Sequence, residues 1–186
     1  MSDDATLIQH CLAGDEVAMR AFTAKYQNLV FSLCLRMLGH REDAEDVAQE
    51  SFLRIFRALH RWNPTRPVKP WLLTIVANRC RTALARRSKL PALNEVAISL
   101  EAERHEQSRH EREQLELSEE LRVALAGLRE EYRMCFVLFY QQELSYEEIA
   151  EIMDRPQGTV KTWLHRARAQ IVECFHKRGM ICEVPS

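Results

Sequence analysis

Glycine and proline are scarce, 5 and 6 in 186 residues. That is too few for a collagen repeat, a flexible low-complexity chain or an all-β fold with many tight turns. No apolar run approaches the ~20 residues that span a bilayer, and the N-terminus Met1-Ser2-Asp3-Asp4 is acidic where a signal peptide is basic. A mostly helical chain that stays in the cytoplasm without membrane insertion is expected. Six cysteines (Cys11, Cys34, Cys80, Cys135, Cys174, Cys182) include no C-x-x-C pair, and the seven histidines no H-x-x-x-H or H-E-x-x-H array. Buried free thiols in a reducing compartment fit this better than a disulfide framework. A zinc site built from distant Cys and His stays open as the lesser alternative. Gly-rich phosphate loops and Ser or Cys nucleophile motifs are missing too. No catalytic residue, metal or cofactor is therefore expected.

What is present is 46% hydrophobic and 28% charged residues, enough for one or two small folded domains. The net charge of −1 hides strong segregation. Between Ser51 and Leu90 lie ten cations (Arg54, Arg57, Arg61, Arg66, Lys69, Arg79, Arg81, Arg86, Arg87, Lys89) and no carboxylate. Pro91 to Glu131 reverses this, with eleven acidic residues against five basic. Arg155 to Val172 carries Arg155, Lys161, Arg166 and Arg168 and again no acid. An electrostatic footprint depends on local clustering, so two phosphate-facing surfaces on either side of an acidic connector are expected.

Apolar spacing marks the elements. Leu7, Ile8, Cys11 and Leu12 form a short amphipathic stretch ended by Gly14. Asp15 caps a long helix with Phe22, Tyr26, Leu29, Val30, Leu33 and Met37 on one face, and Gly39 stops it. A second helix begins with Glu42 and Asp43 in its first turn and turns Ala44, Ala48, Phe52, Ile55 and Leu59 inward. The three prolines between Arg61 and Pro70 require a loop. Pro70 then leads a helix to about Arg87, with Trp71, Leu72, Ile75 and Val76 apolar. Pro91 to Leu117 lacks a sustained apolar stripe and reads as a linker, partly helical at its centre.

Ser118 is a fitting N-cap for a helix marked by Leu121, Leu125 and Leu128; Tyr132, Cys135, Phe136 and Phe139 mark the next. Ser145-Tyr146-Glu147-Glu148 has the form of a capping box. It opens a short helix with Tyr146, Ile149, Ala150 and Met153 inward, Asp154-Arg155-Pro156 turns the chain, and Gln157 to Val172 resumes with Val160, Leu164, Ala167 and Ile171 inward. This is a helix-turn-helix pattern. Asp154 stands where the turn needs a left-handed residue, which Asp tolerates. Burial of Val160 and Leu164 leaves Gln157, Lys161, Thr162, His165, Arg166 and Arg168 free for base edges and phosphates in a major groove.

Three blocks in register carry a resemblance: Asp43-Ala44-Glu45-Asp46-Val47-Ala48-Gln49-Glu50-Ser51-Phe52-Leu53-Arg54, Trp71-Leu72-Leu73-Thr74-Ile75-Val76-Ala77-Asn78, and Leu144 to Ala150 with Gly158 to Arg168. Together, over about residues 5 to 175, they resemble an extracytoplasmic-function (ECF) sigma factor of the sigma-70 family. The resemblance implies an all-α protein of two small helical domains. Residues 1–90 would bind core RNA polymerase and open the −10 element, 91–117 would be an acidic linker threading toward the RNA exit path, and 118–186 would read the −35 element. It implies polymerase contacts at Asp43, Asp46, Gln49 and Glu50. Contacts to the −10 element fall on Arg54, Arg57, Arg61, Trp62, Asn63, Lys69, Asn78 and Arg81, with Asn78 and the Trp62 loop at a pocket for a flipped base. Those to the −35 element fall on Arg155, Gln157, Thr159, Lys161, Thr162, His165, Arg166 and Arg168. Core polymerase and promoter DNA are the implied partners, and an anti-sigma factor, which holds many members inactive, a further one. Cations interleaved with Trp62 and Trp71 are what DNA melting needs, although Trp71 reads more readily as core. An autonomous helix-turn-helix regulator is the alternative reading, and the Asp43 to Glu50 face, for which it has no use, discriminates.

Overall fold

Local rules fix the ends of most helices. The computed structural model describes residues 3–88 and 119–179, which are helix, turn and bend with no strand among them. The linker assigned to 91–117, the Ser118 cap and the tail from Met180 lie outside the described residues. Helix α1 spans Asp3–Leu12 and α2 Glu16–Leu38. Asp15 caps α2 by accepting from the backbone N–H of Val17 (2.8 Å) and Ala18 (3.3 Å), which satisfies donors that have no partner within the helix. Gly39 ends it in the left-handed conformation, φ 78°, where a side chain would be strained. Helix α3, Arg41–Ala58, runs into a 3-10 turn, Leu59–Arg61, and α4 covers Val68–Arg87 with Pro70 in its first turn, where its missing N–H costs nothing.

In the C-terminal part, α5 (residues 119–126) and α6 (Glu130–Tyr140) precede the helix-turn-helix pair, α7 (Tyr146–Met153) and α8 (Gln157–Lys177). The capping box forms as the spacing requires: Glu148 N–H donates to Ser145 Oγ (3.2 Å), and Ser145 N–H to Glu148 Oε2 (2.8 Å). Asp154 takes the left-handed conformation, φ 52° and ψ 52°. Helix α8 runs five residues beyond the expected Val172, and its last turn carries a Lys177–Glu173 ion pair of 2.7 Å.

Helices α2, α3 and α4 enclose Phe22, Leu33, Met37, Ile55, Leu72, Leu73 and Val76, while α5 to α8 enclose Leu125, Met134, Leu138, Ile149, Val160 and Leu164. The sequence suggests two separate cores, but the buried residues form one continuous cluster. Helix α2 packs on α6 and α4 on α7. Polar contacts reinforce the junction: Arg133 Nη1 donates to the Met37 carbonyl (2.8 Å), Gln142 Nε2 to Ser32 Oγ (3.4 Å) and Arg81 Nη2 to the Ile152 carbonyl (3.4 Å). Arg66 pairs with Glu151 at 2.9 Å.

Candidate nucleic-acid and polymerase interface

Three surfaces follow from these helices. The first is one edge of α3. Burial of Ala44, Val47, Ala48 and Ser51 turns Asp43, Asp46, Gln49 and Glu50 outward, and the steps of three and four line them up on one face. Leu53, 58% exposed, extends the same face. Two of its acids are engaged within the protein. Asp43 lies 3.7 Å from Arg87 at the end of α4, and Glu50 pairs with Arg79. Arg79 is only 7% exposed, so Glu50 also neutralises a buried cation. Among the described residues no cation pairs with Asp46, which is the free negative charge of the edge.

The second surface holds the basic block. Arg54, Arg57 and Arg61 are exposed and Lys69 is half-buried. Among the described residues no carboxylate lies within ion-pairing distance of any of them. Asn63 is exposed and its Oδ1 accepts from the N–H (3.0 Å) and hydroxyl (2.8 Å) of Thr65, which fixes the loop tip. Trp62, by contrast, is 9% exposed, with its indole Nε1 buried and unpartnered. In this arrangement it anchors the loop rather than offering a free stacking face. Trp71 is half-buried against the core. Asn78 is exposed and accepts from Arg81, whose guanidinium also reaches across to α7. Of the ten cations counted here in the sequence, Arg79 is interior and Arg66 is paired with Glu151. Helical spacing holds the clue to Arg79, which follows Leu72 and Val76 at i+7 and i+3 on the buried stripe.

The third surface is the outer face of α8. Val160, Leu164 and Ala167 are wholly buried and Ile171 nearly so. Arg155, Gln157, Lys161, Thr162, His165, Arg166 and Arg168 are exposed as expected, and Thr159 is half-buried. The Thr162 hydroxyl bonds back to the Gly158 carbonyl (2.9 Å), and Arg155 donates to the Asp154 carbonyl (2.9 Å). Aromatic neighbours of the basic side chains escaped the sequence reading, because Tyr132 and Tyr146 read there simply as inward apolar positions. Arg166 Nη1 donates to Tyr132 Oη (3.0 Å), while Lys161 Nζ lies 5.5 Å from the ring centroid of Tyr146 and the Arg168 guanidinium 5.7 Å from that of Tyr140.

A helix-turn-helix with an acid-free outer face, joined to a helical unit that bears an acidic edge and a second basic surface, defines an all-α DNA-binding protein with more than one docking face. Residues 22–90 match the family profile of Sigma-70 region 2, and residues 118–171 that of Sigma-70, region 4. The ECF RNA polymerase sigma-E factor of Salmonella typhimurium (strain LT2) is 36% identical over 177 residues, covering 90% of this chain and 92% of that protein. Its counterpart in Escherichia coli (strain K12) is 35% identical with the same coverage. Two solved structures share the fold. The sigma factor RpoE in complex with the anti-sigma factor NepR from Bartonella quintana has a TM-score of 0.68 at 20% identity, over 84% of this chain and 96% of that one. CnrH in complex with the cytosolic domain of CnrY has a TM-score of 0.67 at 22% identity, over 95% and 99%. The chain therefore belongs to the sigma-70 family, as an ECF sigma factor: a non-enzymatic subunit that directs RNA polymerase to promoters. Family membership sets aside the autonomous regulator.

Proposed function

We propose that three surfaces of this sigma factor divide the work of initiation, within units bounded at 1–90, 91–117 and 118–186. The α3 edge at Asp43, Asp46, Gln49 and Glu50 docks on core polymerase. The basic surface at Arg54, Arg57, Arg61, Asn63, Lys69, Asn78 and Arg81, with the Trp62 loop, receives the −10 element. The outer face of α8, from Gln157 to Arg168 and with Arg155 beside it, enters the major groove of the −35 element. The observation that carries this reading is the α8 face itself: its apolar residues are buried, its polar and basic ones point outward, and no acid interrupts Arg155 to Val172. A helix so presented can reach base edges and phosphates together. An anti-sigma factor is proposed as a further partner, supported by the solved neighbour in complex with one. Such a protein would compete for the α3 edge or the DNA faces.

Run-off transcription with purified bacterial core polymerase on a pooled genomic promoter library tests the division. Addition of the chain should produce starts that share paired upstream elements. Asp46→Lys should reduce core binding by at least about tenfold, because like-charge juxtaposition across an interface costs several kcal/mol. It should leave the fold intact, since Asp46 is exposed and unpaired among the described residues. Unchanged co-elution of Asp46→Lys with core would remove the α3 edge from the interface. Glu50 is the poorer probe, because its reversal would strand buried Arg79.

A further inference from the structure

We infer that Tyr132 is a positioning residue for promoter reading: its hydroxyl holds the Arg166 guanidinium in a fixed direction, so that Arg166 selects a base, whereas Lys161 and Arg168 act on phosphates without selecting sequence. This rests on the proposed reading of α8 as the −35 reader.

Tyr132 sits in α6 and is 4% exposed. Its ring is packed in the core with the Arg129 guanidinium 5.4 Å from its centroid. The hydroxyl is thus a fixed point, and it accepts a hydrogen bond from Arg166 Nη1 at 3.0 Å. An arginine side chain is otherwise among the most costly to order. The tether settles part of that ordering before DNA arrives. It occupies one of the five N–H donors of the guanidinium, and a planar fork held by one corner presents the remaining donors in a defined plane, as bidentate recognition of a guanine edge requires.

Lys161 and Arg168 are held differently. Each lies near an aromatic ring, Tyr146 and Tyr140 respectively, at 5.5 and 5.7 Å. Attraction to a ring face leaves the cation free to slide and rotate. Tyr140 is itself 46% exposed, so Arg168 rests on a surface open to solvent. A cation held loosely can follow the phosphate backbone but fixes no donor geometry toward a base. Three cations of one helix thereby divide into one directional reader and two backbone contacts.

The test uses holoenzyme reconstituted with bacterial core polymerase and a duplex library randomised across the −35 region, the bound fraction being sequenced at two salt concentrations. Arg166→Ala should relax preference at one base position. Tyr132→Phe, which removes only the hydroxyl, should relax the same position by about three- to tenfold, the worth of a single hydrogen bond. In the Arg166→Ala background it should change nothing further. Lys161→Ala and Arg168→Ala should leave every base preference intact and each lower the salt slope by about one. If Arg166→Ala relaxes a position and Tyr132→Phe does not, the positioning role is overturned while the −35 reading stands. If Tyr132→Phe weakens all sequences equally, and does so again in the Arg166→Ala background, Tyr132 is only a packing residue and the inference fails. If none of the α8 variants alters binding, the −35 reading itself fails.

Discussion

Single side chains in this protein often serve two elements at once, and Asp4 is the clearest case away from the DNA surfaces. From α1 it accepts from Lys25 Nζ (2.7 Å) and Tyr26 Oη (2.6 Å) of α2. Burial alone would raise its pKa, but the hydrogen bonds from Lys25 and Tyr26 and the attraction of the Lys25 charge outweigh it and hold Asp4 below its ordinary value. Burial, and then the Asp4 carboxylate, push the Tyr26 hydroxyl well above its ordinary range. A lowered carboxylate stabilises the fold above its unfolded pKa of about 4 and ceases to do so as pH falls through the folded value. A raised phenol stabilises the fold below about pH 10 and ceases to do so as pH rises through its folded value. The α1–α2 junction is therefore expected to be firmest between those limits. Asp4→Asn should lower stability at pH 7 by about 1–3 kcal/mol. Thermal unfolding should find Tm several degrees lower at pH 7 and the gap between the two proteins narrowing at pH 3. An equal gap at both pH values would show that charge at Asp4 is immaterial.

At the scale of the helix, stability and specificity should separate. Ser145 caps α7, which supports α8 but presents no basic face of its own. Ser145→Ala should cost about 1 kcal/mol and shift Tm by roughly 2–4 °C for a chain of this size, measured by calorimetry. It should leave the −35 base preferences where they were, and an altered preference would mean that α7 sets the angle of α8 on DNA. The caps explain why elements were so legible. Asp15, Gly39, Ser145 with Glu148, and Asp154 act on backbone groups within four residues of themselves, so the sequence contains the whole interaction. Period-3.6 spacing likewise locates the buried face of α8 residue by residue. The candidate site was legible only where it lies on a helix face. Trp62 illustrates the limit: proline spacing announces a loop but says nothing of where its indole goes, and the inward turn follows from the 3-10 step that puts Trp62 three residues after buried Leu59. The run of charge along the chain places Arg79 among the surface cations, whereas its partner Glu50 lies 29 positions away.

Across the whole molecule, the contacts that matter most are those no local pattern encodes. Arg66 and Glu151 are 85 residues apart and Arg133 lies 96 from the carbonyl it binds. Beside them, Arg81 bonds to the Ile152 carbonyl, and the surface proposed for the −10 element at Asn78 and Arg81 rests against α7, the first helix of the proposed −35 reader. Positions −35 and −10 differ by 25 base pairs, about 85 Å of duplex at 3.4 Å per pair. A compact chain of this length has a radius of gyration of only about 16 Å. With α4 packed on α7, the two surfaces proposed for DNA would not reach both elements, so the proposed assignment requires the junction to part when the promoter is read. The exposed Arg66–Glu151 pair contributes little by itself. Arg133 is held more firmly, since its guanidinium donates to two backbone carbonyls, Met37 at 2.8 Å and Leu128 at 3.4 Å, and these bonds offset the burial that opposes its charge and pushes its pKa down. The double variant Arg133→Ala/Glu151→Lys should open the junction without touching either proposed DNA face. Calorimetry should then resolve two unfolding transitions where the parent, with its continuous core, gives one, and solution scattering should report a larger radius of gyration. The opened variant should also bind a single-stranded oligonucleotide library more tightly than the parent in the absence of polymerase, because Arg81, half-buried and bonded to the Ile152 carbonyl of α7, is uncovered. One transition, an unchanged radius and unchanged binding would mean that apolar packing of α4 on α7 holds the units together without these polar contacts, and that polymerase must supply the whole of the work of separation.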